Sequence, residues 1–416
     1  MFVSPAISLF HGLTGSFGRE FKRKLLIVFI TIYGSIITIS GSNDGVVHLQ
    51  NVYDHYVDLS FIDFFDEIFD IIFFIGNPYI NDDLYIHFVS YLTGGVLGMP
   101  GLFFVVVSLV YAYFFAGSIF RLIELKKNFK YKWTVYAFIT IFILWKNIEG
   151  INTVRTWTGL WVLFYACLSY YKTGQRKYLW LMFVPPLIHV GYFIMVIPAL
   201  LVLILKVRHI LFVVIFIASF TTTILNPQSM LMQLEKTEVG QSKIRGYYVE
   251  EQATYGEIEE LYGQSAWYKR LYGVGFQNIG INILAFTIIF LGLYQFSMNS
   301  LESTLFSIGI LTKALSNMTW FLTALNNRSG VIAGLFILGS VVLFLIRTNE
   351  SRLKFERFKW FQFLLVISFF LFIPFVIYKI ADLIYFISVY MLAFPFIPWF
   401  TDTMNYSIRE FLGFII

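Results

Sequence analysis

Apolar runs long enough to cross a bilayer recur from one end of this sequence to the other, separated by short charged stretches. Residues 25–40, 102–120, 133–148, 152–171, 210–225, 279–296, 305–325, 331–345, 360–378 and 383–400 each carry at most one charged side chain. Recurrence on that scale predicts spanning helices rather than helices of a soluble core. Other segments read differently. In 61–75, Asp63, Asp66, Glu67 and Asp70 alternate with aromatic and aliphatic residues, the pattern of a helix lying in the membrane interface. Residues 84–97 run into Gly98-Met-Pro-Gly101 and are expected to be re-entrant or interfacial. Residues 178–205 are too few for two full helices at about 20 residues each, and Pro185-Pro186 interrupts them. They predict short or broken helices meeting around 188–191.

Charge orients this pattern. No lysine or arginine occurs from Leu25 to Phe120, while Arg19, Lys22, Arg23 and Lys24 precede that stretch and Arg121, Lys126, Lys127, Lys130 and Lys132 follow it. Basic residues stay on the cytoplasmic side, so the intervening region enters and leaves the membrane. Nine acidic residues between Asp44 and Asp83 then face outside. The fold expected is all-α: one polytopic transmembrane domain over 1–416, with about eleven spans plus re-entrant or interfacial helices. Residues 41–83 form the first extracytoplasmic segment, 226–277 a large extracytoplasmic loop, and the C-terminal tail lies inside.

Composition agrees. The 416 residues are 58% hydrophobic and 13% charged, with mean hydropathy +0.73, against about a quarter charged in soluble domains. Forty-eight Phe and 26 Tyr supply lipid-facing and interfacial aromatics. The net charge of +5 belongs to cytoplasmic loops and describes topology, not nucleic-acid binding. A single cysteine, Cys167, excludes an internal disulfide and a cysteine metal cluster. Residues 1–18 read as a short, weakly ordered cytoplasmic leader with no cleavage pattern after the first apolar run.

Several polar groups stand near the expected outer ends of spans. Asp44 follows the first, Asn152 and Arg155 begin the fourth one helical turn apart, His189 occupies the break at 188–191, and Asn326, Asn327 and Arg328 fill a short outer turn. An ionisable group at membrane depth costs roughly 2.5–3.5 kcal/mol on insertion scales, which makes each a candidate for function. Each also has a plainer role: Arg155 snorkelling, His189 bonding a neighbouring helix, Asp44 and Asn327 shaping turns. Their gathering on one side is the stronger signal. Glycosyl transfer from a lipid pyrophosphate suits the set. Guanidinium forks of Arg155 and Arg328 would clamp the leaving diphosphate, with Asn152, Asn327, Arg245 and Arg270 assisting. His189 or Asp44 would take the proton of an attacking sugar hydroxyl. The histidines are scattered and no DxD stands in the outer segments, so the expected chemistry needs neither metal nor cofactor.

Some of these residues resemble a known family. Ser42-Asn-Asp44-Gly with Tyr53 and Tyr56, Asn77-Pro-Tyr79 with 84–98, Asn152-Thr-Val-Arg155-Thr-Trp157, and 172–177 followed by Leu187-Ile-His189-Val-Gly-Tyr192 resemble the EpsG/Wzy-type polysaccharide polymerases over about the first half of the chain. Asn327-Arg328 loosely matches that family's second arginine. The resemblance implies a multi-pass, GT-C-like enzyme of the bacterial cytoplasmic membrane. It would join undecaprenyl-pyrophosphate-linked oligosaccharide donor and acceptor on the outer face, with a chain-length regulator as a candidate partner. Arg155 would bind pyrophosphate, and His189 would serve the acceptor or the donor phosphate. A flippase for the same glycolipid would need polar residues through the whole membrane. A membrane O-acyltransferase would need histidine and arginine within reach of cytoplasmic acyl-CoA.

Overall fold

The computed structural model of the chain describes residues 1, 3–38, 44–73, 83–126, 129–221, 266–273, 275–351, 356–401 and 405–415. Among them every regular element is helical, and the sole extended pairing is an isolated bridge between Ser388 and Ser407. Four helices are long and apolar enough to cross a membrane: Pro100–Leu122, Trp133–Thr153, Thr323–Glu350 and Lys359–Phe386. Trp267–Gly273 and Phe276–Phe290, bent by 57°, make a fifth if they form one span. This is the make-up of a multi-pass membrane protein. The described residues do not display about eleven spans, because several apolar runs fold as shorter or more polar helices than a crossing requires.

Contacts divide the chain into two compact units: Met1–Glu124 with Lys146–Phe193 and Ile380–Ile416, and Leu125–Trp145 with Ile194–Lys379. The first unit opens with α1, Pro5–Thr14, where a weakly ordered leader was expected. The Ser4 hydroxyl accepts the Ile7 N–H at 3.3 Å, and Pro5 presets the first turn, which accounts for the helix. Next come α2, Arg19–Ser35, and α3, Asp44–Asn51, which runs into a π-helical turn, Val52–Tyr56. Helix α4, Phe61–Ile72, buries Phe64 and Ile71 and leaves Phe61, Ile62, Phe65 and Phe69 exposed. Its Phe64 ring stacks on His87 of α5, Leu84–Tyr91, at 4.6 Å. A π turn and a 3₁₀ turn end α5 well short of a bilayer's thickness and lead into α6, Phe103–Leu122, which packs against α2.

After α7, Trp133–Trp145, which belongs to the second unit, the 3₁₀ turn Ile148–Thr153 leads to α8, Thr156–Thr173. The segment 178–205 breaks as the prolines require, into α9, Arg176–Leu181; α10, Pro185–Ile188; α11, Tyr192–Met195; and α12, Ile197–Leu205. Residues 189–191 lie between α10 and α11.

The second unit continues through α13, His209–Ser219; α14, Trp267–Gly273; α15, Phe276–Phe290; and α16, Leu293–Phe296. Its centre is the pair α17, Ser300–Met318, and α18, Thr323–Glu350. Helix α7 joins them where Trp145 Nε1 donates to Val331 O at 2.8 Å. Asn299 and Glu302 form a reciprocal cap at the start of α17. The Glu302 carboxylate also accepts Arg347 of α18 twice, from Nε at 2.7 Å and Nη2 at 2.8 Å. Helix α19, Glu356–Phe386, runs unbroken where two spans, 360–378 and 383–400, were expected. Lys379 and Asp382 are charged but tolerated in a helix, and no glycine or proline stands between the two runs to stop it. Beyond it, in residues that return to the first unit, the described residues form the 3₁₀ turns Val389–Met391 and Ile397–Trp399 before α20, Ile408–Ile415.

Glu302→Ala removes the carboxylate half of the reciprocal cap and the carboxylate partner of Arg347, whose side chain is 31% exposed. Loss of about 2–3 kcal/mol of stability is expected, under the range for a fully buried pair. Thermal unfolding of the purified protein in neutral detergent measures it, and unchanged melting contradicts the role of the pair.

A candidate active site in the first unit

Three short backbone breaks bring three side chains together. Asp83 stands in extended conformation just before α5 but does not cap it. Arg155 immediately precedes α8, after Val154, whose φ of 53° is costly for a β-branched residue. The 3₁₀ turn that imposes this conformation is held from outside. Tyr111 Oη donates to Asn147 O at 2.5 Å, and Trp161 Nε1 donates to Tyr111 Oη at 2.9 Å and Lys146 O at 3.1 Å. His189 sits extended between α10 and α11, and Tyr192 anchors the break by donating to Thr156 O at 2.6 Å.

Asp83 is the hub. Its carboxylate pairs with Arg155 Nη1, lies 3.1 and 3.3 Å from His189 Nδ1, and accepts the Val190 N–H at 2.7 Å. Burial alone would raise its pKa, but the His189 hydrogen bond, the Arg155 charge and the Val190 N–H outweigh it and hold the carboxyl down at about 2. The anion in turn fixes two groups. With Nδ1 directed at Asp83, the basic position of neutral His189 is Nε2. Arg155 is a quarter exposed, and among the described residues only Nη1 of its guanidinium has a partner.

The turn at 148–153 faces α3. A Cβ on Gly45 would lie 2.6 Å from Asn152 Oδ1, so only glycine lets the helix approach so closely. Asn152 Oδ1 is buried with no hydrogen-bond partner among the described residues, and the same holds for both ring nitrogens of His48, one turn beyond Asp44. Burial, then the nearby Arg155 charge, lowers the His48 pKa to about 4 despite Asp44 and Asp83. An apolar hollow of about 120 Å³ adjoins this cluster, lined by Leu84 and Val190, the sequence neighbours of Asp83 and His189, together with Pro186 and Phe193.

The sequence-predicted positions fare differently. Arg155 and His189 come together on Asp83. Asn152 and Arg155 do not share a helical face: Asn152 ends in the 3₁₀ turn, and the Val154 kink separates it from α8. Asp44 begins α3 and is exposed. Asn327 and Arg328 belong to the second unit, inside the first turns of α18 rather than in a loop between spans. Packing along α17 carries α18 through Asn326, Asn327 and Gly330 despite their low intrinsic helix propensity, and the turn falls at 319–322 instead. Arg270 is exposed in the last turn of α14, also in the second unit. Arg245 lies outside the described residues. Asp83 and His48 were not singled out from the sequence. The available signals were an acid abutting an apolar run and the Asp44–His48 spacing of four. Among the described residues, no three His, Cys, Asp or Glu side chains converge as a metal site. No family model, curated protein or solved structure matches the chain.

Two acid-sensitive groups follow, both with depressed pKa. His48 contributes stability that is complete above about 6.5 and lost as the pH falls toward 4; the Asp83 contribution is complete above about 4 and lost toward 2. Melting temperature is expected to drop between pH 6.5 and 4, and His48→Gln flattens that part of the profile. Equal slopes in the two proteins contradict the assignment. Asp83→Asn is expected to cost about 3 kcal/mol at pH 7 by stranding Arg155, measured by the same unfolding assay.

Proposed function

We propose that this chain is a membrane glycosyltransferase that polymerises lipid-diphosphate-linked oligosaccharide repeats, an EpsG/Wzy-type polysaccharide polymerase of GT-C-like architecture. It acts at the outer face of a bacterial cytoplasmic membrane, on undecaprenyl-pyrophosphate-linked donor and acceptor. The observation that carries the reading is the Asp83 hub, which sets a part-exposed arginine and a histidine side by side. A diphosphate leaving group needs a fixed cation, and an attacking hydroxyl needs a base within reach of the same centre.

In this reading the acceptor sugar hydroxyl attacks C1 of the donor's reducing-end sugar. The new C1–O bond forms as the bond from C1 to the phosphate oxygen breaks, and the electron pair leaves with the lipid diphosphate. Nε2 of His189 takes the hydroxyl proton, and Asp83 stabilises the imidazolium through Nδ1. Arg155 offers its outward N–H groups to the diphosphate, whose charge peaks as the bond breaks. Asp44, the other expected base, has no described contact with the hub. The hollow beside Leu84 and Val190 suits a short apolar stretch of the carrier next to its diphosphate. Asn327, Arg328 and Arg270 belong to the second unit and Arg245 lies outside the described residues, so none of them is given a part at the hub; a chain-length regulator remains the proposed protein partner, and the chemistry proposed is metal-free.

Arg155→Ala is expected to abolish surface polymer beyond a single repeat while protein insertion and the single-repeat glycolipid persist. A gel of surface polysaccharide reads this directly, and a normal ladder removes Arg155 from the mechanism. His189→Ala is expected to lower polymerisation by about 10²–10⁴-fold, the usual worth of a general base. A chelator is expected to leave the rate unchanged, and strong inhibition would point to a metal step.

A further inference from the structure

A second cavity, this one polar and also within the first unit, lies away from the Asp83 hub at the far end of α6. It encloses about 650 Å³ where the last turn of α6 meets the start of α2 and the ends of α8 and α9. Four cations line it, Arg19, Arg23, Arg121 and Lys172, against two carboxylates, Glu20 and Glu124. The carboxylates are already engaged: Glu20 with Arg23 at 2.7 Å, and Glu124 with Lys172 at 2.5 Å and Arg19 at 3.1 Å. Arg121 is the cation of the cavity with no carboxylate partner among the described residues. Its guanidinium pairs with the Ser169 hydroxyl, donates to Tyr178 Oη at 3.3 Å, and stacks 4.7 Å from the Tyr165 ring and 5.0 Å from the Tyr178 ring. Neutral hydroxyls and ring faces orient this charge without neutralising it.

Depth decides what fits. The apolar span Pro100–Leu122 ends one residue beyond Arg121, so the guanidinium sits at headgroup level. Leu109, Tyr113, Gly117 and Arg121 fall at intervals of four on one stripe of α6. Leu109 and Tyr113 are about half exposed, and a Cβ on Gly117 would meet the Tyr165 ring at 2.7 Å, so the glycine keeps that ring against the cavity wall. The stripe passes from a charged pocket to an apolar, membrane-depth surface, as the two ends of a phospholipid do.

We infer that this cavity binds the phosphodiester headgroup of an anionic phospholipid, with Arg121 as the primary contact and an acyl chain along Tyr113 and Leu109. By the charge asymmetry of the chain this is the cytoplasmic leaflet, where anionic lipid and basic side chains meet. The site is independent of the proposed glycosyl transfer and survives if that reading fails.

Native mass spectrometry of the full-length protein in neutral detergent tests it. The protein is titrated with phosphatidylglycerol, with phosphatidylcholine, and with soluble glycerol 3-phosphate. Preferential retention of phosphatidylglycerol is expected, undisturbed by a large excess of glycerol 3-phosphate. Arg121→Gln is expected to weaken that retention about tenfold, the worth of one charge-assisted hydrogen bond, with unaltered melting. Arg23→Gln, which removes a rim charge and spares the Arg121 contacts to Ser169 and Tyr178, is expected to weaken it by a smaller factor and keeps the test valid if Arg121→Gln does not fold. Equal retention of the two lipids overturns the inference, as does undiminished retention by a folded Arg121→Gln. Displacement of lipid by glycerol 3-phosphate also overturns it, by assigning the site to a soluble phosphate.

Discussion

A buried carboxylate with three donors ties together three backbone breaks of the first unit. Taking the Asp83 charge out of water is expensive, and the structure offsets the cost only by delivering Arg155, His189 and the Val190 N–H to one point. Acceptor and donors come from three backbone breaks: Asp83 from the extended residue before α5, Arg155 from the kink at Val154, and His189 and Val190 from the gap between α10 and α11. The breaks and the hub are mutually dependent. Without the hub, three interrupted helices would leave polar backbone and charged side chains unpaired in an apolar setting.

In the proposed reading, the same arrangement lets two chemical roles fit one small region. A carboxylate that is already satisfied does not compete for substrate, yet it fixes the tautomer of one neighbour and the position of the other. Arg155 keeps N–H groups directed away from Asp83, and His189 keeps a basic nitrogen on its far side. Among the described residues His48 and the Asn152 Oδ1 are buried without hydrogen-bond partners, and the Arg155 charge acts on His48. The second unit is organised on a comparable principle at the Glu302–Arg347 pair, where a carboxylate caps one helix and grips the next.

The class of fold was legible in the spacing of apolar runs, and the broken segment 178–205 in its paired prolines. Span boundaries were less so. The charges at Lys379 and Asp382 read as a loop, but with no glycine or proline between the two runs the helix continues through them; Asn327 and Arg328 read as a turn by their polarity, yet packing along α17 keeps α18 helical through them and through Gly330. Arg155 and His189 were legible because ionisable residues in apolar runs are few. Asp83 was not, because it lay among nine acids of a segment that reads as uniformly solvated, and only tertiary structure shows that, among the described ones, Asp83 is fully buried. The unpartnered state of His48 is likewise a property of packing, with no trace in sequence.

Direct binding of a lipid diphosphate tests the central claim most closely: that Arg155, positioned by Asp83, exists to hold such a group. Titrating purified protein with farnesyl pyrophosphate and farnesyl monophosphate by calorimetry separates the outcomes. The account predicts tighter binding of the diphosphate and loss of that preference in Arg155→Lys, which keeps the charge but not the fork. An Arg155→Lys protein that still prefers the diphosphate, or a wild-type protein with no preference, would contradict it.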